Sequence, residues 1–253
     1  MPLLLDGKLT IPLYHGTNLL FYDSIRQYGL GGRNPIKDLR VIELLRELVA
    51  ICENSLPAEE DWIPRMQMAK WIALQDVTGG GFNFRHGSAY LAASVEKAVR
   101  YAVSSEFSSE ALAHFMMVWK RLQDSRIALS PTVNADCEPI VELASGKKAP
   151  LVFQLNETAI GDLSAEDGGN PNAIVNSLEP LAEGDPVVFQ EFLGNANFEL
   201  RETVSVSDAK IFRVLREPSN DSAYSEGYSL IPYRGESSFD DPIDEVVFRI
   251  GLL

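Results

Sequence analysis

A mixed α+β fold with antiparallel strand pairing is what this 253-residue sequence predicts, on three observations. Apolar residues recur at helical spacing through most of the first half. From Pro150 onward, short apolar or alternating runs bounded by polar turns take over. The two patterns do not alternate in the regular way that a parallel βαβ sheet requires. No segment repeats another.

Local signals place the elements. Leu13-Tyr14 is a short apolar strand that runs into His15-Gly16-Thr17, with Thr17 expected to cap the following helix. That helix carries Leu20, Ser24, Ile25 and Tyr28 and is stopped by Gly29. Asn34 caps a second helix that begins at Pro35 and buries Val41, Leu44, Leu45, Leu48 and Val49 before Ser55-Leu56-Pro57 breaks it. A third spans about Ile63 to Leu74 and leads to Gly79-Gly80-Gly81. Gly87 to Ala93 reads as a buried strand. Ser94 then caps a helix with Val95, Ala98, Val99 and Ala102 inward. From about Ser109 a longer amphipathic helix carries Leu112, Phe115, Met116, Trp119 and Leu122. Residues 126–149 read as connecting loop, and Gly168-Gly169-Asn170-Pro171 as a loop tip. Strands are expected at Leu151–Leu155, Pro186–Phe192, Phe198–Val204, Lys210–Leu215 and Glu245–Ile250, with a polar stretch at 217–227.

Composition narrows the function classes. The chain has 36 Asp and Glu against 22 Lys and Arg, a formal charge of -14, which disfavours a nucleic-acid scaffold with its basic face. The amino terminus lacks the basic start and apolar core of a signal peptide. No run approaches the roughly 20 apolar residues of a membrane helix. The expectation is a cytoplasmic protein with no membrane association. Cys52 and Cys137 stand far apart outside any CxxC pattern, as expected of two reduced thiols.

Several chemistries lack their framework. There is neither a phosphate-binding G-x-x-x-x-G-K-[ST] nor a G-x-G-x-x-G after a strand, and there is no G-x-S-x-G elbow. The three histidines, His15, His86 and His114, have no metal-ligand spacing, so no metal is expected. His86-Gly87-Ser88 copies the opening triplet but leads into a strand, and is read as coincidence. Glu59-Glu60-Asp61 and Asp240-Asp241 are read as solvated turns.

What survives is a constellation: His15-Gly16-Thr17, Tyr90 and a late glutamate. In that order they resemble the ADP-ribosyltransferase superfamily, in the His-Tyr-Glu branch shared by poly(ADP-ribose) polymerases and diphtheria-type toxins. Gly87-Ser88-Ala89-Tyr90-Leu91-Ala92-Ala93-Ser94 resembles the family's tyrosine-bearing strand before a short helix. Tyr101 stands eleven residues beyond Tyr90, where the branch places a second aromatic, and Lys97 falls where it often has lysine. Phe198-Glu199-Leu200, followed by Val204-Ser205-Val206 and Ile211-Phe212-Arg213-Val214, resembles the glutamate strand and its successor. The resemblance covers about half the chain. It departs at Ala98, where the branch usually has serine eight residues after the strand tyrosine.

The resemblance implies a single domain, residues 1–253, with split antiparallel sheets gripping NAD. The helical stretches at about 35–80 and 104–148 would be insertions, and 218–253 a carboxy-terminal extension. It further implies that His15 and Thr17 bond ribose hydroxyls and that Gly16 pairs through its backbone with the carboxamide. Tyr90 and Tyr101 would sandwich the nicotinamide ring. Glu199 would stabilise the charge that develops as nicotinamide departs, with Glu202, Glu191 and Glu245 as rival carboxylates. The implied partners are NAD⁺ and an acceptor, a protein or small molecule in preference to nucleic acid. A binding module on the same fold without transfer, and NAD⁺ hydrolysis with water as acceptor, are the other readings.

Overall fold

The computed structural model describes residues 2–57, 59–75, 77–78, 82–83, 88–217, 226–235 and 248–252. Along the chain, β1 (Leu4–Leu5) and β2 (Lys8–Leu9) form a short hairpin. They are followed by β3 (Leu13–Asn18), a 3-10 turn at Leu19–Phe21 and α1 (Tyr22–Tyr28). Then come α2 (Pro35–Asp38), α3 (Val41–Ser55), α4 (Ile63–Leu74) and a hairpin of β4 (Val77–Thr78) with β5 (Phe82–Asn83). β6 (Tyr90–Ala92) precedes three helices, α5 (Val95–Val103), α6 (Glu110–Asp124) and α7 (Pro131–Ser145). The remainder is β7 (Pro150–Leu155), β8 (Leu163–Ala165), α8 (Pro171–Ala182), α9 (Pro186–Leu193), β9 (Asn197–Leu200), β10 (Lys210–Arg216), β11 (Glu226–Pro232) and β12 (Phe248–Leu252). The class is α+β with antiparallel pairing throughout.

The backbone divides into two compact units. The first comprises Met1–Gly32, Ala89–Ser104 and Lys148–Leu253, and holds one eight-stranded sheet in the order β12-β11-β10-β7-β3-β6-β9-β8. β3 pairs with β7 along its whole length, Leu13 through Asn18. On its other side it meets β6 at a single pair, Tyr14 with Ala92. The sheet is therefore two ladders hinged at one residue pair.

One face of the larger ladder carries Tyr14, Val152, Phe212, Val214 and Leu230, and α5 covers it with Ala98, Val99 and Ala102. The helix begins where its cap predicts, the Ser94 hydroxyl accepting the Lys97 N–H at 3.2 Å. Its small inward residues let it lie very close to the sheet. On the opposite face Leu151 packs with Leu19, Ala149 and Tyr233, and the Tyr22 ring meets Tyr233 edge-on at 5.1 Å between centroids.

The second unit, Arg33–Ser88 and Ser105–Lys147, is built around α3, which packs against α4, α6 and α7. The stretches read as insertions, 35–80 and 104–148, make up nearly all of it. The predicted stripe Val41, Leu44, Leu45, Leu48 and Val49 is buried, joined by Cys52. The Arg46 guanidinium donates to the Ala73 carbonyl at 2.7 Å, tying α3 to the end of α4. Both cysteines are buried and unlinked. Burial, with the carboxylates of Asp136 and Glu47, pushes the Cys137 thiol up to about 11, so it is protonated and unreactive at neutral pH.

Several sequence expectations need correction. The helix expected from Pro35 is two helices, broken where Arg40 takes a left-handed conformation at φ 55°. Residues 126–149 are mostly α7, capped by Ser130 with Pro131 in its first turn. Pro186–Phe192 is α9 and no strand: the Asp185 carboxylate accepts the Val187 N–H at 2.8 Å, and Pro186 starts the helix. Asn170-Pro171 opens α8 in the same way. The Glu199 strand ends at Leu200, and β11 was not expected at all. Gly79-Gly80-Gly81, His86-Gly87 and Glu245 lie outside the described residues. Among the described residues no helix is long and apolar enough to cross a membrane.

Candidate functional site

The site starts at the hinge in the sheet. If the register set by Tyr14 and Ala92 continued, Gly16 would pair with Tyr90. It does not continue. The carbonyl of Tyr90 meets the His15 imidazole instead, at 2.8 Å from Nδ1. A side chain thus occupies the place of a ladder hydrogen bond, and the strands part around it. A carbonyl can only accept, so Nδ1 carries the proton and Nε2 of the neutral ring is left as an acceptor.

Part of His15 stays accessible, yet its ring is enclosed enough that burial pulls its pKa below the ordinary value, the Tyr90 carbonyl partly offsetting the fall. The sign of the pH effect follows. The folded state holds the ring neutral while the unfolded chain protonates near 6.5, so this contribution is full above about pH 6.5 and is lost as the pH falls through the folded value. Melting measured from about pH 7.5 down to 5.5 is expected to show stability falling, and His15→Asn to flatten that slope. Identical slopes in the two proteins would count against a buried neutral ring.

Gly16 is confined by α5. A Cβ placed on it would lie 1.9 Å from the carbonyl oxygen of Ala98 and 2.9 Å from the amide nitrogen of Ala102. The glycine is required by helix packing, whatever else its backbone does. Thr17 is 4% exposed, and the helix cap expected of it falls to Asn18, whose side chain accepts the Leu20 N–H at 3.3 Å. Strand β3 runs on to Asn18, four residues beyond its apolar Leu13-Tyr14 run.

Across the hinge, Tyr90 on β6 pairs directly with Glu199 on β9, and Glu199 in turn with Ser164 on β8. Directly opposed residues of antiparallel strands point to the same face, so Tyr90, Glu199 and Ser164 form one row. Both Tyr90 and Glu199 are half-buried, accessible enough to meet a ligand. Asn197 precedes Glu199 by two residues on that face, 5% exposed, and donates to the Glu166 carboxylate at 2.7 Å. Lys97 on α5 feels the same carboxylate: burial lowers its pKa first, Glu166 opposes the fall, and Arg100 adds to it.

The structure therefore brings the backbone of four of the sequence-derived residues together: His15 and Gly16 on one side of the parted strands, Tyr90 and Glu199 on the other. Tyr101 sits on α5 directly before Ala102 and is 44% exposed. Of the rival carboxylates, Glu202 is exposed in the turn after β9 and Glu191 is exposed on α9. Ser164, Glu166 and Asn197 belong to no motif in the sequence. Only Asn197 carried a signal, its spacing of two from Glu199. Among the described residues no group of three or more His, Cys, Asp or Glu is placed to hold a metal ion. No family model, curated protein or solved structure matches the chain.

Proposed function

We propose that the chain is an NAD⁺-dependent ADP-ribosyltransferase of the His-Tyr-Glu type, with an ADP-ribosyltransferase-like split sheet, acting in the cytoplasm. The observation that carries the reading is the parted hinge: Tyr90 and Glu199 face each other on adjacent strands, beside the gap that His15 bridges to the Tyr90 carbonyl. The donor set fits a ribosyl nicotinamide. Nε2 of a neutral His15 accepts from a ribose hydroxyl, Gly16 offers backbone without a Cβ, and Tyr90 offers a flat face to a cationic ring.

The reaction cleaves the bond between nicotinamide nitrogen and the ribose carbon, the electron pair leaving with nicotinamide. The acceptor's nucleophilic atom bonds that carbon and gives up its proton. Positive charge develops on the ribose as the old bond breaks, and the Glu199 carboxylate stabilises it electrostatically. The overall charge of -14 favours a protein side chain or small molecule as acceptor over nucleic acid.

Incubation of the full chain with NAD⁺ labelled in the nicotinamide ring is expected to release free nicotinamide. Labelled adenine should then appear on an acceptor, and free ADP-ribose in its place would assign hydrolysis. One observation favours a second reading, a module that binds NAD or ADP-ribose without turnover. Ala98, fully buried, offers no hydroxyl where the resembling branch has serine. Saturable NAD⁺ binding with no nicotinamide released would select it, and no binding at all would sink both.

A further inference from the structure

Helix α9 turns most of an apolar surface to solvent. Val187 is 75% exposed, Phe192 50% and Val188 37%, and of its eight residues only Leu193 is buried. Val188 and Phe192 are one turn apart, as are Val187 and Glu191, so the four share a face. Nothing in the helix's local chemistry asks for that exposure. A solvated connection would be expected to carry polar residues there, whereas this one carries two valines and a phenylalanine.

Charge identifies the occupant. From Ala149 to Leu200 the chain holds nine Asp and Glu and not one Lys, Arg or His. Four of the carboxylates, Glu179, Glu183, Asp185 and Glu191, are exposed on α8, α9 and the turn between them. The helix that carries the apolar face, and the chain leading into it, thus carry one sign of charge. A second copy of the chain would lay the same carboxylates against each other in a symmetric contact, on a molecule already at -14. An anionic lipid surface would be repelled in the same way.

We propose that the outer face of α9 docks a basic amphipathic polypeptide segment. Apolar side chains of the segment cover Val187, Val188 and Phe192, and its Lys and Arg face the exposed carboxylates. The proposal stands apart from the NAD⁺ reading, because it uses none of His15, Gly16, Tyr90 or Glu199.

The test is fluorescence anisotropy of a labelled helical Leu/Lys peptide titrated with the full chain, beside a Gln/Lys peptide of equal charge. The Leu/Lys peptide is expected to bind more tightly. The double variant Val187→Ser, Phe192→Ser is expected to weaken it by about tenfold or more. Leu5→Ser, at a residue 59% exposed on β1, serves as control and is expected to leave affinity within about twofold. Glu183→Gln with Glu191→Gln should reduce the salt dependence. Equal affinity for the two peptides, or a double variant that binds as well as the parent, overturns the proposal. So does a concentration-dependent dimer in sedimentation that the double variant dissociates, which would give the face to a second copy.

Discussion

Gly16→Ala is expected to destabilise the sheet unit by about 3 kcal/mol or more, because the added methyl has no place to go. Two effects compete and their sizes decide the sign. Alanine in place of a strand glycine gains roughly 0.5–1 kcal/mol by restricting the unfolded chain. Against that stands a Cβ 1.9 Å from one backbone oxygen of α5 and 2.9 Å from a backbone nitrogen. Neither atom is the loose end of a side chain, so the whole helix has to lift. At roughly 2–4 °C per kcal/mol for a chain of this size, the melting temperature should fall by roughly 6–12 °C. Gly161→Ala is the matched control: a Cβ there meets nothing within 4 Å, and no loss is expected. A Gly16→Ala protein as stable as the parent would show that α5 does not press on β3. Because α5 also carries Lys97 and Tyr101, the same lift displaces both.

The fold was legible where a periodic apolar face met a recognised cap, and illegible where the cap was overlooked. Asn34-Pro35 reads as a helix start, and Asn34 accepts the Ile36 N–H. Ser130-Pro131, Asn170-Pro171 and Asp185-Pro186 have the same chemistry: a short polar side chain to accept an N–H, then a residue that needs none. All three open helices where the apolar pattern alone reads as loop or strand. At α9 the β-branched Val187-Val188 outweighed the cap, although a local side-chain hydrogen bond fixes the first turn more directly than strand propensity does. The break at Arg40 had no such signal, since a left-handed arginine has no composition signature.

The site divides along the same line. The order His15, Tyr90, Glu199 was visible in the chain, but their meeting depends on strand register, which period-two patterning fixes only when one face is clearly apolar. β6 and β8 have three residues each, too short to display a period. Thr17 reads as a cap because the apolar run stops at Tyr14, yet the strand continues to Asn18, held by pairing with β7 and not by its own pattern.

Glu199→Gln is expected to lower turnover by about 30- to 1,000-fold, the roughly 2–4 kcal/mol that one preorganised electrostatic contact supplies to a transition state, with NAD⁺ affinity little changed. The amide keeps the size of the side chain and its place in β9 opposite Tyr90, so the pairing of β6, β9 and β8 should survive. What disappears is the negative charge, which on the proposed transfer reaction matters only as the ribose becomes positive. That is why the loss belongs in kcat and not in binding. Glu202→Gln and Glu191→Gln supply the contrast. The first lies in the exposed turn beyond β9 and the second on exposed α9, and neither belongs to the paired row of Tyr90, Glu199 and Ser164. Both variants should turn over NAD⁺ as the parent does. The kinetics to compare are rates of nicotinamide release at saturating NAD⁺, with binding followed separately by calorimetry. Full turnover by Glu199→Gln alongside a collapse in Glu202→Gln would move the chemistry to the turn. A loss of binding equal to the loss of rate would instead make Glu199 a residue that holds NAD⁺ without assisting its cleavage.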